Sequence, residues 1–165
     1  MSQSVALVTN ALEFAGPPAV AALIEAGFAV AAHDLTFVDR AARERFEGAN
    51  PTARALIAQA PAEIVEEAWQ LGRRLDVMVS NDAHPAIHGP IANASIDDLR
   101  ATFEHLVVFP FALAKAAVPR LKEQSTARVV MITSNRTRLP LPGGAIPDVA
   151  RAGANALVKS LSLEL

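Results

Sequence analysis

The stretch VALVTNALEFAGPPAV, residues 5–20, decides the fold. Val5 to Thr9 is a short apolar run rich in β-branched residues, which reads as a buried strand. Gly16, Pro17 and Pro18 open a helix, because a proline in the first turn gives up an N–H that has no partner there. Gly27 closes that helix. The same alternation continues outward. Strands are predicted over 28–33, 54–58, 75–80 and 128–133. Helices are predicted over 39–47, 61–71, 95–121 and 148–165, with loops at 81–94 and 135–147. Ser95 followed by Asp98 forms a capping-box-like start for the long helix, and Pro110 is expected to kink it.

Strands that are apolar throughout, alternating with helices, belong in a parallel sheet covered on both faces. The expected fold is therefore α/β: a Rossmann-like doubly wound parallel sheet, three-layer α/β/α, with spatial order 3-2-1-4-5. All 165 residues read as one such domain. In this arrangement ligands bind beyond the carboxyl ends of the strands. Thr9, Asn10, Asp34, Ser80, Asn81, Asp82 and Ser134 all fall there.

Composition narrows the function. Hydrophobic residues make up 52% and charged residues 19%, with a net charge of −2. No basic stripe points to nucleic acid or an anionic membrane. No run reaches the ~18 apolar residues of a membrane span, and the N-terminus lacks the pattern of a signal peptide. Cysteine is absent, which removes disulfides and thiolate metal sites and fits a cytoplasmic protein. Tyrosine is absent too.

The turn after the first strand is unusual. A dinucleotide needs glycines here so that backbone can approach its pyrophosphate. On the short-chain spacing these fall at 10, 14 and 16, where this chain has Asn10, Phe14 and Gly16. Gly16 suits close packing of helix on strand, whereas Phe14 stands where a cofactor would lie. No cofactor is expected. Phe14 is either a pocket residue or a buried core aromatic.

The first turn, His33-Asp34, Ser80-Asn81-Asp82, Ile132-Thr133-Ser134 and RAGANALV at 151–158 together resemble the short-chain dehydrogenase/reductase superfamily. They look most like its halohydrin dehalogenase branch, which has an aromatic in the glycine turn and a halide pocket in place of the nicotinamide. The resemblance implies interconversion of a vicinal haloalcohol with an epoxide and a halide ion, in a homodimer or homotetramer. It makes Ser134 and Arg151 the catalytic residues, and Phe14, Asn81 and Asp82 the substrate and halide pocket. The family's catalytic tyrosine lies four residues before the arginine, and that position is Pro147. Arginine stays protonated and cannot be the base, and loss of a general base costs on the order of 10²–10⁴ in rate. The resemblance also implies further C-terminal strands and a halide-binding loop beyond these residues. The chain then reads as a fragment, a truncated product or a unit completed by another chain, and is expected to be impaired or inactive.

The remaining polar residues leave alternatives open. Asp82 either orients Arg151, stands in as a weak base, or caps a loop. Asp34 reads as a strand-end turn residue. His84 and His88 have metal-ligand spacing but lie in a proline-containing loop without a third ligand, so they read as surface histidines. Arg136 and Arg138 read as a solvated face. Two other functions compete: an NAD(P)-dependent short-chain oxidoreductase, and a non-catalytic module that dimerises through helices 95–121 and 148–165.

Overall fold

A computed structural model describes residues 3–165. Five strands, β1 (Val5–Val8), β2 (Ala29–Ala32), β3 (Ala53–Ala55), β4 (Val77–Ser80) and β5 (Arg128–Met131), form one sheet in the order β3-β2-β1-β4-β5. Every pairing is parallel. The doubly wound order predicted from the apolar runs is present, with its switch point between β1 and β4.

Among the described residues six α-helices cover the sheet: α1 (Gly16–Glu25), α2 (Arg40–Ala49), α3 (Pro61–Gln70), α4 (Ile96–Phe103), α5 (Phe109–Leu121) and α6 (Ala145–Leu161). Alternate residues of β1 face opposite layers, as the two-residue strand period requires. Val5 and Leu7 pack with Ile64, Ala68, Leu113, Ala117 and Leu161 beneath α3, α5 and α6. Ala6 and Val8 pack with Val20, Phe37 and Phe46 beneath α1 and α2. On this second face the outer strand is incompletely covered, and Val130 of β5 is 43% exposed. Between α3 and α5, Trp69 lies between two guanidinium groups, Arg73 at 4.6 Å and Arg120 at 4.0 Å from its ring centroid.

The helix boundaries follow from local chemistry. Gly27, at φ +86°, ends the α1 segment in the left-handed region. The Asp39 carboxylate accepts from Ala41 and Ala42 N–H and caps α2. The Ser95 hydroxyl accepts from Asp98 N–H, so the predicted cap forms. The long helix it starts is interrupted ahead of Pro110, by a π turn over Glu104–Val108. Phe109 N–H bonds Glu104 O, five residues back. The wider turn precedes a proline that has no N–H and crowds the carbonyl four residues behind it. By length and mean hydropathy alone the run Ile96–Leu121 is long and apolar enough to cross a membrane. Its residues Leu106, Leu113, Ala114, Ala117 and Leu121 are buried inside the domain.

The last helix also departs from expectation. It starts at Ala145, so Pro147 lies within its first turn and is buried. A proline is accommodated there because first-turn N–H groups have no intrahelical acceptor. The first helical bond, Asp148 N–H to Gly144 O, follows it directly.

Candidate functional site

The turn at 9–16 is held from three sides. Ala11 N–H donates to His33 O. The Asn81 amide donates to Asn10 O at 2.9 Å and Glu13 O at 3.0 Å. Leu12 N–H donates to the Asp34 carboxylate at 3.2 Å. Gly16 packs so closely that a Cβ there would overlap Asn10 O and lie 2.7 Å from Ala11 C and O. The glycine is therefore needed for helix α1 to rest on its own turn.

These contacts drive Asn10 and Phe14 into the left-handed region, at φ +48° and +52°. Non-glycine residues adopt it at a cost of about 1–2 kcal/mol, so the surrounding bonds must enforce it. The consequence is the placement of Phe14. It is 69% exposed and belongs to no core cluster, which decides against a buried core aromatic.

Phe14, Ser134 and Arg151 line one cavity of about 170 Å³, together with His84, Thr102, Leu106, Arg136 and Pro147. Each arrives from a different part of the fold. Phe14 comes from the β1–α1 turn and Ser134 from the segment after β5. Arg151 and Pro147 come from α6, and His84 from the loop after β4. The Ser134 hydroxyl accepts from Arg136 N–H at 3.2 Å, which leaves its own O–H proton available to a ligand. Arg151 donates to Ile132 O at 3.1 Å, with Asp82 O further off at 3.5 Å. Burial pulls the Arg151 guanidinium below its ordinary pKa against the opposing charge of Asp82, yet an arginine stays cationic there.

Two residues assigned to the pocket from sequence lie elsewhere. Asn81 is fully buried and serves as the latch on the first turn described above. Asp82 lines a separate cavity of about 250 Å³ with Asn10, His33, Gln59 and His105. Its carboxylate accepts the Ser80 hydroxyl. Burial raises the Asp82 pKa against the lowering effects of Ser80, Thr9 and Arg151. Its hydrogen-bond contact with Arg151 is through the backbone carbonyl, at 3.5 Å, while its side chain acts on the arginine only by charge.

Other residues depart from their sequence reading. Arg136 is no solvated cation: it pairs with Asp148 at 2.9 Å, with its side chain 23% exposed. His84 is half-buried and stacks on His105 of the π turn, with centroids 4.8 Å apart and planes at 14°. His88 lines a different cavity from His84, and among the described residues no group of three ligands could hold a metal. The sequence signals for these contacts were absent, because Arg136–Asp148 and His84–His105 are separated by 12 and 21 positions with no periodic relation.

A nicotinamide dinucleotide does not fit these residues. The Asp34 carboxylate, where a ribose would bond, accepts from Leu12 N–H, Thr36 N–H and Thr36 Oγ1. Phe14 replaces the glycine that would let a pyrophosphate approach, and its ring forms part of the wall around Ser134 and Arg151.

A family model described as short chain dehydrogenase matches residues 4–165. A protein described as a dehalogenation enzyme is 33% identical, with a TM-score of 0.90, covering 99% of this chain and 68% of that one. A halohydrin dehalogenase bound to ethyl (2S)-oxiran-2-ylacetate is 34% identical, with a TM-score of 0.92, covering 98% of this chain and 64% of that one. An uncharacterized oxidoreductase of Thermotoga maritima is 27% identical over 166 residues, 97% of this chain and 65% of its own length. The chain thus spans about two thirds of the length of these relatives.

Proposed function

The chain belongs to the short chain dehydrogenase family, and we propose that within it this site handles a vicinal haloalcohol and the corresponding epoxide without a nicotinamide cofactor. The observation that carries this reading is Phe14, held at positive φ and exposed, walling one small cavity with Ser134 and Arg151. A cavity of about 170 Å³ suits a small organic molecule.

Ser134 donates its hydroxyl proton to the substrate oxygen, and Arg151 stabilises negative charge developing on it. Closing the epoxide also requires a proton acceptor. Pro147, buried in the first turn of α6 where the resemblance places a tyrosine, has no exchangeable proton. Without an acceptor the rate falls by on the order of 10²–10⁴. The test is halide release from a vicinal bromohydrin at neutral pH. Slow release abolished by Ser134→Ala is expected. Release unchanged in that variant, or none from the unaltered chain, overturns the reading. The name of the Thermotoga relative favours a nicotinamide oxidoreductase instead, and tight NADH binding by this chain would select it. Val108, Phe111 and Val149, exposed on the π turn, α5 and α6, favour self-association of the same unit.

A further inference from the structure

We propose that His84 is the general base of this site, taking the role that the missing phenol leaves open. The inference rests on the haloalcohol reading above and names the residue that makes it workable. His84 and the two oxygen-binding residues, Ser134 and Arg151, line the same cavity of about 170 Å³. An imidazole on that wall lies within the same small volume as any substrate oxygen held by Ser134. The ring is also fixed in place. It stacks on His105 at 4.8 Å, nearly parallel, and His105 is carried by the π turn that precedes Pro110.

The charged surroundings keep the ring in its accepting form. Burial lowers the His84 pKa, and the neighbouring His105 lowers it further, while Asp98 of α4 pulls the other way. The net shift is downward from 6.5, so at neutral pH the ring is neutral and has a free lone pair. From α6 and the segment after β5, Arg136, Asp148 and Arg151 also face the cavity. Arg136 and Asp148 pair with one another, which leaves Arg151 as the other cation lining the cavity.

The step balances as follows. An imidazole nitrogen of His84 takes the hydroxyl proton of the haloalcohol. The oxygen, held by the Ser134 hydroxyl and faced by the Arg151 cation, forms its bond to the adjacent carbon. The carbon–halogen bond breaks, and halide departs with the electron pair. The products are an epoxide, a halide ion and an imidazolium, which returns its proton to water.

The experiment measures halide release from a vicinal bromohydrin across pH, using the full chain and three variants. In the unaltered chain the rate should rise as His84 loses its proton, with an acid limb below pH 6.5, and stay flat above it. His84→Ala should lose on the order of 10²-fold or more, and free imidazole should restore part of it. His105→Gln removes the neighbour that depresses the ring's pKa and exposes it, so the acid limb should move to higher pH. Release that is unchanged in His84→Ala while Ser134→Ala abolishes it overturns the inference and leaves the haloalcohol reading standing. A loss in His84→Ala that imidazole does not restore, with circular dichroism unchanged, overturns it likewise. No release from the unaltered chain overturns both.

Discussion

Replacing Gly16 by alanine tests whether the close contact of α1 with its own turn organises the site. The new Cβ would overlap Asn10 O and stand 2.7 Å from Ala11 C and O. All three are backbone atoms of a turn already tied to β2 and β4, so none can yield cheaply. Overpacking of this kind costs about 1–3 kcal/mol. Displacing Asn10 O also weakens its bond from the Asn81 amide, a further ~0.5–1.5 kcal/mol. Alanine recovers ~0.5–1 kcal/mol through lower chain entropy and better helix propensity. The net is a destabilisation of about 2 kcal/mol, or roughly 4–8 °C in Tm for a chain of this length. Gly48 is the control. It lies in α2 with no atom within 4 Å of an added Cβ, so Gly48→Ala should raise Tm by the helix gain alone, ~0.5–1 kcal/mol. Thermal melts followed by circular dichroism read both. A Gly16→Ala variant that melts with the unaltered chain would refute the argument, because the contact would then be compliant.

His33 gives a pH dependence. It is 3% exposed, and burial lowers its pKa from the ordinary 6.5 against the opposing pull of Gln59, Asp34 and Glu67. The unfolded chain therefore binds the proton first as pH falls, and stability present above pH 6.5 declines below it. Urea midpoints between about pH 7 and pH 5 should show the decline, and His33→Leu should flatten it, leaving a smaller slope from His84. Phe14→Gly should cost no stability, since φ +52° favours glycine by about 1 kcal/mol; a drop in Tm would show that the ring is packed. The unaltered chain should leave NADH fluorescence unchanged, and saturable binding would refute the fit argument. Pro147→Tyr puts a large ring at a buried first-turn position and should destabilise by about 1–3 kcal/mol without accelerating halide release. Faster release at an unchanged Tm would contradict that.

The sheet order was legible because each buried strand is a continuous apolar run, and because the turn residues between runs admit few connections. Gly16 and Phe14 were legible for a related reason: a turn that presses a helix onto a strand leaves no choice at the first and an unusual choice at the second. Local signals failed where tertiary contact decides. Pro147 falls in the predicted loop 135–147, yet the helix starts at Ala145 and its first turn tolerates a proline. Asn81 and Asp82 are neighbours in sequence, but strand alternation and the turn send one into a latch and the other into a second cavity. His84 stood out only for its spacing to His88, and its stacking on His105 had no sequence signal, because His105 sits on a π turn 21 positions away. The Arg136–Asp148 pair bridges two elements in the same way.

The packing of Trp69 between Arg73 and Arg120 has a spectroscopic consequence. It is the chain's one tryptophan, and there is no tyrosine, so near-ultraviolet excitation reaches a single indole, with no phenol feeding energy to it. That indole responds to the field of two cations held against its ring, one from the turn that follows α3 and one from α5. Its emission is therefore a gauge of one contact, the docking of α3 on α5, which lies on the opposite face of the sheet from α1 and α2. Denaturation followed by fluorescence and by far-ultraviolet circular dichroism then compares one layer with the whole. Coincident midpoints mean that both layers release together, and an earlier fluorescence transition means that the α3–α5 layer opens first.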